Sequence, residues 1–519
     1  MTLLFASIAP TDVGVLDALA QEAWRGGADA VELRIDTFAG EPSAIASYLR
    51  EHGDRTWIIT CRSREEGGES SGDAHKRASL LVEAARGTNA YLDFEFADWC
   101  RSEAMRIKPA PAGEATGTWQ HKLILSVHDF SGVPPQLASI AEELLAQHGA
   151  VTGKVAYQPS NINDTFAALD LVHKHGRRIT AVCMGADGLW TRVLARKLGA
   201  FASYCSLSPG SETAPGQATL AEMVNRYRWP CIDSSTQVFG VLGDPVAHSM
   251  SPLLFNHWFD EAKLNAVYLP LLVRRTDHCL QRFLDECLHR SWLGIGGFSV
   301  TTPHKAAALE YVGAGTDRLA ASIGALNTIL FRGGRVLGFN TDCHAAVDSI
   351  VHALGCERVD LCGLPVDVLG SGGAARAVVA GLRDFGCDVT IYARSLERGR
   401  IIAQRFNARS ATWEDRKART GKVLINCTSM GMWPETTANP MSGCSLRGCR
   451  LVFDLIYNPS TTTLLAQAAA EGVATLGGLD MFIRQAAAQF ELWVGRRPDT
   501  RAVRDLLAGE TESHVSRPR

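Results

Sequence analysis

Short runs of apolar and β-branched residues recur at even intervals through roughly the first 225 residues, and the stretches between them carry helical periodicity. The runs are Leu3–Ile8, Ala30–Ile35, Trp57–Cys61, Ala90–Phe94, Lys122–Val127, Gly153–Tyr157, Ile179–Cys183 and Ser203–Ser206. Segments such as Val15–Trp24, Lys76–Ala85, Leu137–Gln147 and Ile162–His173 lie between them. About eight alternations of strand and helix in that length are the number and size of a (β/α)8 barrel.

Such a barrel does its chemistry at the C-terminal ends of its strands, where side chains converge on one mouth. Glu32 and Arg34 end the second strand, Arg62 the third, Asp93 and Glu95 the fourth, and His128 the fifth, while Lys154 sits on the sixth. A lysine at that mouth is desolvated and set among cationic groups, which frees its amine as a nucleophile. His128 can move a proton, and the arginines can hold a carboxylate bidentately. Taken singly, a strand-end lysine reads as a snorkelling surface residue and a single histidine as a structural one. Taken together, they read as a Schiff-base lyase or a class I aldolase.

Further motifs run through the same stretch: Val31-Glu32-Leu-Arg34-Ile-Asp36, Thr60-Cys-Arg62 with Glu66-Gly67-Gly68, Ser126-Val-His128-Asp-Phe and Gly153-Lys154-Val. Asn161-Ile-Asn-Asp164, Met184-Gly185, Thr191-Arg192 and Ala214-Pro215-Gly216-Gln217 follow. On these motifs residues 1–225 resemble type I 3-dehydroquinate dehydratase. The resemblance implies that Lys154 forms an imine with the substrate ketone and that His128 is the general acid/base. It implies that Glu32 orients His128 or the substrate hydroxyls, and that Arg192 clamps the carboxylate. Arg34, Arg62, Thr213 and Gln217 would hold hydroxyls and the carboxylate, and Ser7 matches a polar position ending the first strand. The chemistry implied requires no metal.

The chain is longer than this barrel. Its 519 residues suggest about three units. With 52 Lys+Arg against 55 Asp+Glu, the net charge of -3 gives no reason to expect nucleic acid or an anionic membrane as partner. There is no apolar run of about 18 residues to span a bilayer. Met1–Ser7 enters a strand-like segment without the signature of a signal or transit peptide, so cytoplasmic placement is expected. The 14 cysteines are scattered, with no C-x-x-C pair, and read as reduced core residues. Residues 229–236, with Pro230 and a Ser/Thr cluster, read as a short connector after a domain spanning 1–228.

Beyond it the pattern changes. Gly240-Val-Leu-Gly243-Asp-Pro245 leads to His248-Ser249-Met-Ser251-Pro252 and a helical run. The hydroxyls of Ser249 and Ser251 can donate to a small polyol acid; alone, they read as helix caps. Val300-Thr301-Thr302-Pro303-His304-Lys305 opens another helix, and Asn340-Thr341-Asp342 follows. A lysine and an aspartate meeting across a cleft can share a proton and supply it to an alkoxide. Val366–Leu369 is a buried strand, and Gly370-Ser371-Gly372-Gly373-Ala374 then opens a helix, as a pyrophosphate site requires, although the spacing departs from G-x-G-x-x-G. The next strand, Asp388–Tyr392, ends in Ala393-Arg394-Ser395 with Arg398 a turn later. An acidic residue there would suit NAD; arginines suit the 2′-phosphate of NADP, or form a solvated cluster at a helix start.

Residues 237–510 resemble shikimate dehydrogenase through these motifs together with Ala325-Leu-Asn327-Thr, Asn426-Cys-Thr428-Ser-Met430-Gly, Asp454-Leu-Ile-Tyr457-Asn-Pro and Gly478-Leu-Asp-Met with Gln485. That resemblance implies Lys305 and Asp342 as the catalytic pair. It implies substrate contacts from Ser249, Ser251, Thr301, Asn327, Tyr457 and Gln485. Gly370, Ser371, Gly372, Gly373, Ala374, Arg394, Ser395, Arg398, Thr428 and Met430 would line NADP. Phe255 stands where many members have His, Ser299 replaces an Asn, and Ala393 another Asn; none of these removes a proton-transfer or hydride-transfer partner. The expected substrate domain is 237–344 completed by 478–510, the Rossmann-like NADP domain 345–477, and 511–519 a polar tail without fixed structure. The two resemblances imply dehydration of 3-dehydroquinate to 3-dehydroshikimate and NADPH-dependent reduction of that product to shikimate. The alternatives are one half kept as a ligand-binding regulatory module, and a second half preferring quinate.

Overall fold

The computed structural model describes residues 1–101, 122–147, 150–276 and 278–515. Eight strands form the first sheet: β1 (Leu3–Ile8), β2 (Ala30–Arg34), β3 (Trp57–Thr60), β4 (Tyr91–Glu95), β5 (Lys122–Asp129), β6 (Ala150–Tyr157), β7 (Ile179–Cys183) and β8 (Ala202–Ser206). Their order is β7-β6-β5-β4-β3-β2-β1-β8, and the paired neighbours run parallel. Phe201 N–H donates to the Ile179 carbonyl at 3.1 Å, which brings β8 beside β7 and closes the circle. This is the barrel expected from the alternation. Its strands are buried on both faces, which explains why they read as nearly continuous apolar runs. Phe5, Ala30, Ile58, Ile124, Phe201, Ala202 and Tyr204 pack as one cluster in the interior. Emptying one large position there, as in Phe5→Ala, costs about 3–5 kcal/mol.

The connector is pinned rather than free. Lys197 Nζ donates to the carbonyls of Ser234 (2.9 Å) and Thr236 (2.8 Å), Arg196 Nε donates to Ile232 O (2.9 Å), and Trp229 is buried.

By internal contacts the chain divides into two compact units. One comprises Met1–Val238 with Asn265–Gly294, the other Phe239–Leu264 with Ile295–Arg519. Asn265–Gly294 joins the first unit through specific bonds. Arg290 forks onto Asp170 with two 2.7 Å bonds, Arg274 meets Asp187 at 2.6 Å, and Trp292 stacks on His173.

In the second unit, strands Ile295–Val300, Thr328–Arg332 and Arg335–Phe339 pair antiparallel in that order. A separate parallel sheet is ordered Arg409–Thr412, Asp388–Ala393, Pro365–Leu369, Val423–Asn426, Leu451–Asp454, Ala474–Leu476. In chain order that is 3-2-1-4-5-6, the doubly wound arrangement that binds dinucleotides where the order reverses. Val366, Val368, Ile391, Ile425 and Phe453 supply its core. Helix Gly478–Val494 returns to the antiparallel strands: Gln489 Nε2 donates to Asn327 O, and Trp493 Nε1 to Ile329 O. The expected loose tail begins as helix, since Ala502–Val515 is helical; residues 516–519 lie outside those described. Among the described residues, no helix is long and apolar enough to cross a membrane.

Candidate active sites

At the barrel mouth the strand register sets Ser126 of β5 beside Lys154 of β6, with His128 two residues further on the same face. Lys154 Nζ lies 3.1 Å from Asp93 Oδ2, 3.3 Å from Glu32 Oε1 and 4.0 Å from the centre of the Tyr204 ring. Its direct contacts are two carboxylates and an aromatic face, and the expected cationic neighbour is Arg62, which shares Asp93 with it. Carboxylates that touch the amine hold it in place by charge-assisted hydrogen bonds.

Glu32 also accepts from Ser7 Oγ (2.5 Å) and Thr60 Oγ1 (3.1 Å). Burial opposes its ionisation, but Lys154 and Arg34 outweigh burial and hold the carboxyl below its ordinary range. Asp93 is likewise held low, with burial overridden by Arg62 and Lys154. Neither carboxylate bonds to His128.

The partner of His128 is Glu66, whose Oε2 lies 2.8 Å from Nδ1. The implied role of Glu32 as the group orienting His128 is thus corrected. Glu66 stands on the loop after β3, and that loop turns back tightly. At Gly68 a Cβ would lie 2.2 Å from the Arg62 carbonyl oxygen, so only glycine fits. Burial pushes the Glu66 carboxyl up to about 8, against the pull of Arg62. Burial, then Arg62 and Lys154, push the His128 imidazole far below its ordinary value. Oε2 of Glu66 already accepts from Arg62 (3.3 Å), so His128 Nδ1–H donates to it and Nε2 carries the lone pair. A neutral base results.

The three arginines differ. Arg34 forks onto Asp36 (2.9 and 2.8 Å) and reaches Thr213 O at 3.3 Å. Arg62 donates to Asp93 (2.9 Å) and Ser126 Oγ (2.8 Å). Arg192 is buried, among the described residues without a carboxylate, and burial pushes its guanidinium down to about 10. Among the described residues its Nε, like Ser206 Oγ, has no hydrogen-bond partner. A buried cation with an unfilled donor is the group here fitted to take an incoming carboxylate. Gln217 Oε1 accepts from Thr213 N (2.9 Å), closing the loop above.

In the second unit a cavity of about 480 Å³ is bordered by Ser249, Ser251, Thr301, Lys305, Asn327, Asp342, Tyr457 and Gln485. Lys305 is the first residue of a helix and Asp342 the first of another, so the carboxylate sits at a positive helix end. Lys305 Nζ meets Asp342 Oδ2 at 2.5 Å. Asn327 Nδ2 donates to Asp342 Oδ1 (2.9 Å) and to Gln485 Oε1 (3.3 Å). Tyr457 packs on Phe482 with ring centres 4.8 Å apart, and burial raises its phenol. Ser299 is explained by Gln489, whose Oε1 accepts from its hydroxyl at 2.6 Å. Gln489 also borders the cavity and was not picked out from sequence, because nothing in a single helical Gln marks it.

Ala374 and Thr428 extend the cavity toward the glycine turn. Gly370 has φ +109°, and a Cβ there would lie 3.2 Å from both Cys427 O and Thr428 Cγ2. That turn precedes the N-terminus of helix Gly373–Asp384; the Gly370 N–H is taken by the Tyr392 carbonyl (2.8 Å), so Ser371, Gly372, Gly373 and Ala374 can present N–H groups to a pyrophosphate while Gly370 supplies the turn. Thr428 Oγ1 donates to Asn426 Oδ1 (2.7 Å) and accepts from Met430 N (3.2 Å). Met432 rather than Met430 borders the cavity. Ser395 Oγ caps the following helix by accepting from Arg398 N. Arg394 and Arg398 are exposed and, among the described residues, their guanidiniums have no ion pair. They remain available to a 2′-phosphate, and the residues present fit NADP.

Comparison with known proteins assigns the two halves of the chain to two families. The family model of type I 3-dehydroquinase matches residues 4–233, that of the shikimate dehydrogenase substrate binding domain 241–329, and that of the shikimate 5'-dehydrogenase C-terminal domain 478–508. The bifunctional 3-dehydroquinate dehydratase/shikimate dehydrogenase of Arabidopsis thaliana, a chloroplastic protein, is 32% identical over 486 residues, 90% of this chain and 78% of that protein. An NADP(+) shikimate dehydrogenase of Oleidesulfovibrio alaskensis is 40% identical over 277 residues, 52% of this chain and 95% of that protein. The crystal structure of a Thermus thermophilus shikimate 5-dehydrogenase with NADP(H) and shikimate is similar at 32% identity and a TM-score of 0.46, covering 53% of this chain and 100% of that one.

Proposed function

The chain belongs to the family of bifunctional 3-dehydroquinate dehydratase/shikimate dehydrogenases, and from that premise we propose how its residues divide the two reactions. In the barrel, Lys154 gives up its proton to solvent and, as the neutral amine, attacks the ketone of 3-dehydroquinate. Water leaves and a protonated imine forms. His128 Nε2 takes a proton from the adjacent carbon, and the iminium accepts the electron pair as an enamine. The same histidine protonates the departing hydroxyl, and hydrolysis of the imine releases 3-dehydroshikimate. Arg192 holds the substrate carboxylate, with Arg34, Arg62, Thr213 and Gln217 around the hydroxyls. Ser7 steadies Glu32.

In the second unit, Ser249, Ser251, Thr301, Tyr457 and Gln485 hold the substrate acid and its hydroxyls. Bound NADPH supplies the hydride. Lys305 delivers a proton to the oxygen that becomes a hydroxyl, and Asp342 and Asn327 keep the ammonium aimed. The glycine turn with Thr428 and Met430 cradles the cofactor, and Arg394, Ser395 and Arg398 meet its 2′-phosphate. The functional domains run 1–228, 237–344 with 478–510, and 345–477, with a cytoplasmic location.

The observation that carries this reading is two amines in two differently built pockets, Lys154 between Glu32 and Asp93 and Lys305 on Asp342. The test is a two-step assay. The chain is given 3-dehydroquinate and NADPH, and the enone and nicotinamide absorbances are followed. The enone should rise and then fall as NADPH is consumed. An enone that accumulates while NADPH stays constant would remove the second activity. No enone and no oxidation would remove the first. Running shikimate against quinate with NADP in the reverse direction decides the preferred substrate.

A further inference from the structure

Among the described residues, the guanidinium assigned to the substrate carboxylate is the one of the three at the barrel mouth with no counter-ion to hold it. Arg34 has Asp36 and Arg62 has Asp93, but Arg192 bonds to the Tyr204 carbonyl at 3.4 Å and leaves Nε unfilled. Its position therefore follows its backbone. Arg192 sits on the short helix Leu189–Leu194, and Asp187 lies in the turn that opens it. Asp187 is buried, its Oδ2 is 2.6 Å from Arg274, and its Oδ1 has no hydrogen-bond partner. On the same helix, Trp190 packs against Phe283 with ring centres 5.7 Å apart. Arg274 and Phe283 both belong to Asn265–Gly294. In sequence that segment lies inside the stretch matched to the shikimate dehydrogenase substrate binding domain, and in space it belongs to the first compact unit. The turn also holds the loop over the mouth, because Gly185 N donates to Pro215 O at 2.9 Å.

We propose that Arg274 is a positioning residue for the dehydratase: by pairing with Asp187 it sets the turn from which Arg192 reaches the substrate carboxylate. The barrel then depends on a side chain encoded within the dehydrogenase half of the sequence. Removing Arg274 leaves a buried carboxylate without its cation, so Asp187 takes a proton or the turn opens toward water. Either outcome displaces Arg192 and the Thr213–Gln217 loop together. The inference rests on the dehydratase reading of the barrel.

The test uses the full chain as wild type, Arg274→Met, Arg274→Lys and the double variant Arg274→Met/Asp187→Asn. Arg274→Met should raise KM for 3-dehydroquinate about tenfold while kcat changes less than about threefold. Lysine keeps the charge and should restore most of the loss. The double variant should be less impaired than Arg274→Met alone, because no unpaired carboxylate remains. Shikimate oxidation should stay within about twofold of wild type in every variant. An unchanged KM in Arg274→Met would overturn the inference. So would equal losses of both activities, or no rescue by lysine. A wild-type chain that does not dehydrate 3-dehydroquinate would sink the reading of the barrel and this inference with it. An active wild type matched by Arg274→Met would sink this inference alone.

Discussion

Lys154 and Lys305 are both paired with carboxylates, yet their surroundings differ and the tasks proposed for them are opposite. Lys154 is enclosed by a packed barrel, with Glu32 and Asp93 near its amine and the Tyr204 ring against it. Both carboxylates are held ionised by the charges around them, so they accept from the amine and fix its position without taking its proton. Lys305 borders an open cavity and meets one carboxylate end-on at 2.5 Å, with Asn327 fixing the far oxygen. That arrangement keeps an ammonium aimed as a proton donor. The lesson is that a lysine's chemistry is set by how many acceptors touch it and whether substrate can replace them.

The largest test of this contrast is Lys154→Ala. It should lower dehydration by at least about 10⁴-fold and leave shikimate oxidation untouched. Borohydride with 3-dehydroquinate should attach mass to the Lys154 peptide in wild type, and an unmodified peptide there would end the imine assignment. Lys305→Ala comes next, lowering reduction by about 10²–10⁴-fold with dehydration intact. A loss of both activities in either variant would break the independence of the two pockets.

Glu66→Gln should act more gently, reducing dehydration about tenfold near neutral pH, and its signature lies in the pH profile. Burial lifts Glu66 to about 8. As pH rises through that value the carboxyl ionises beside His128 and makes the imidazole a stronger base, so wild-type kcat/KM should climb. The climb should vanish in Glu66→Gln; if it persists, another group titrates. The sign for stability is opposite. A carboxyl raised from 4.5 contributes stability that is fully present below 4.5 and lost as pH rises through about 8, so activity is gained where the fold is strained. The smallest effect is expected of Arg394→Ala, with KM for NADP rising about tenfold and KM for NAD within about twofold. Equal rises would dismiss the 2′-phosphate contact.

Much of the fold was legible in the chain because it rests on local periodicity. Seven of the eight barrel strands begin or end at the expected residue, all but Tyr91–Glu95. The strand-end residues Glu32, Asp93, His128 and Lys154 could be gathered at one mouth because parallel strands share a direction. What escaped was the partner of each. Glu66 lies 62 residues from His128 on an irregular loop, and its only local signal is Gly67-Gly68 behind it. Glu32 was the nearer guess because it ends a strand. The same limit applied to Asn265–Gly294, whose sequence belongs with the second half while Arg290, Arg274 and Trp292 bond it to the first unit.

The amino-acid sequence by itself determined the barrel and the doubly wound sheet and singled out the side chains proposed to react, since hydrophobic period, glycine turns and strand ends are properties of neighbouring residues. Only the tertiary structure decided that Lys154 is flanked by carboxylates, that Glu66 governs His128, that Arg192 is left without a counter-ion, and that Arg274 meets Asp187. Those pairings are long-range, and burial and charge act on them only after the chain has brought distant residues within a few ångströms.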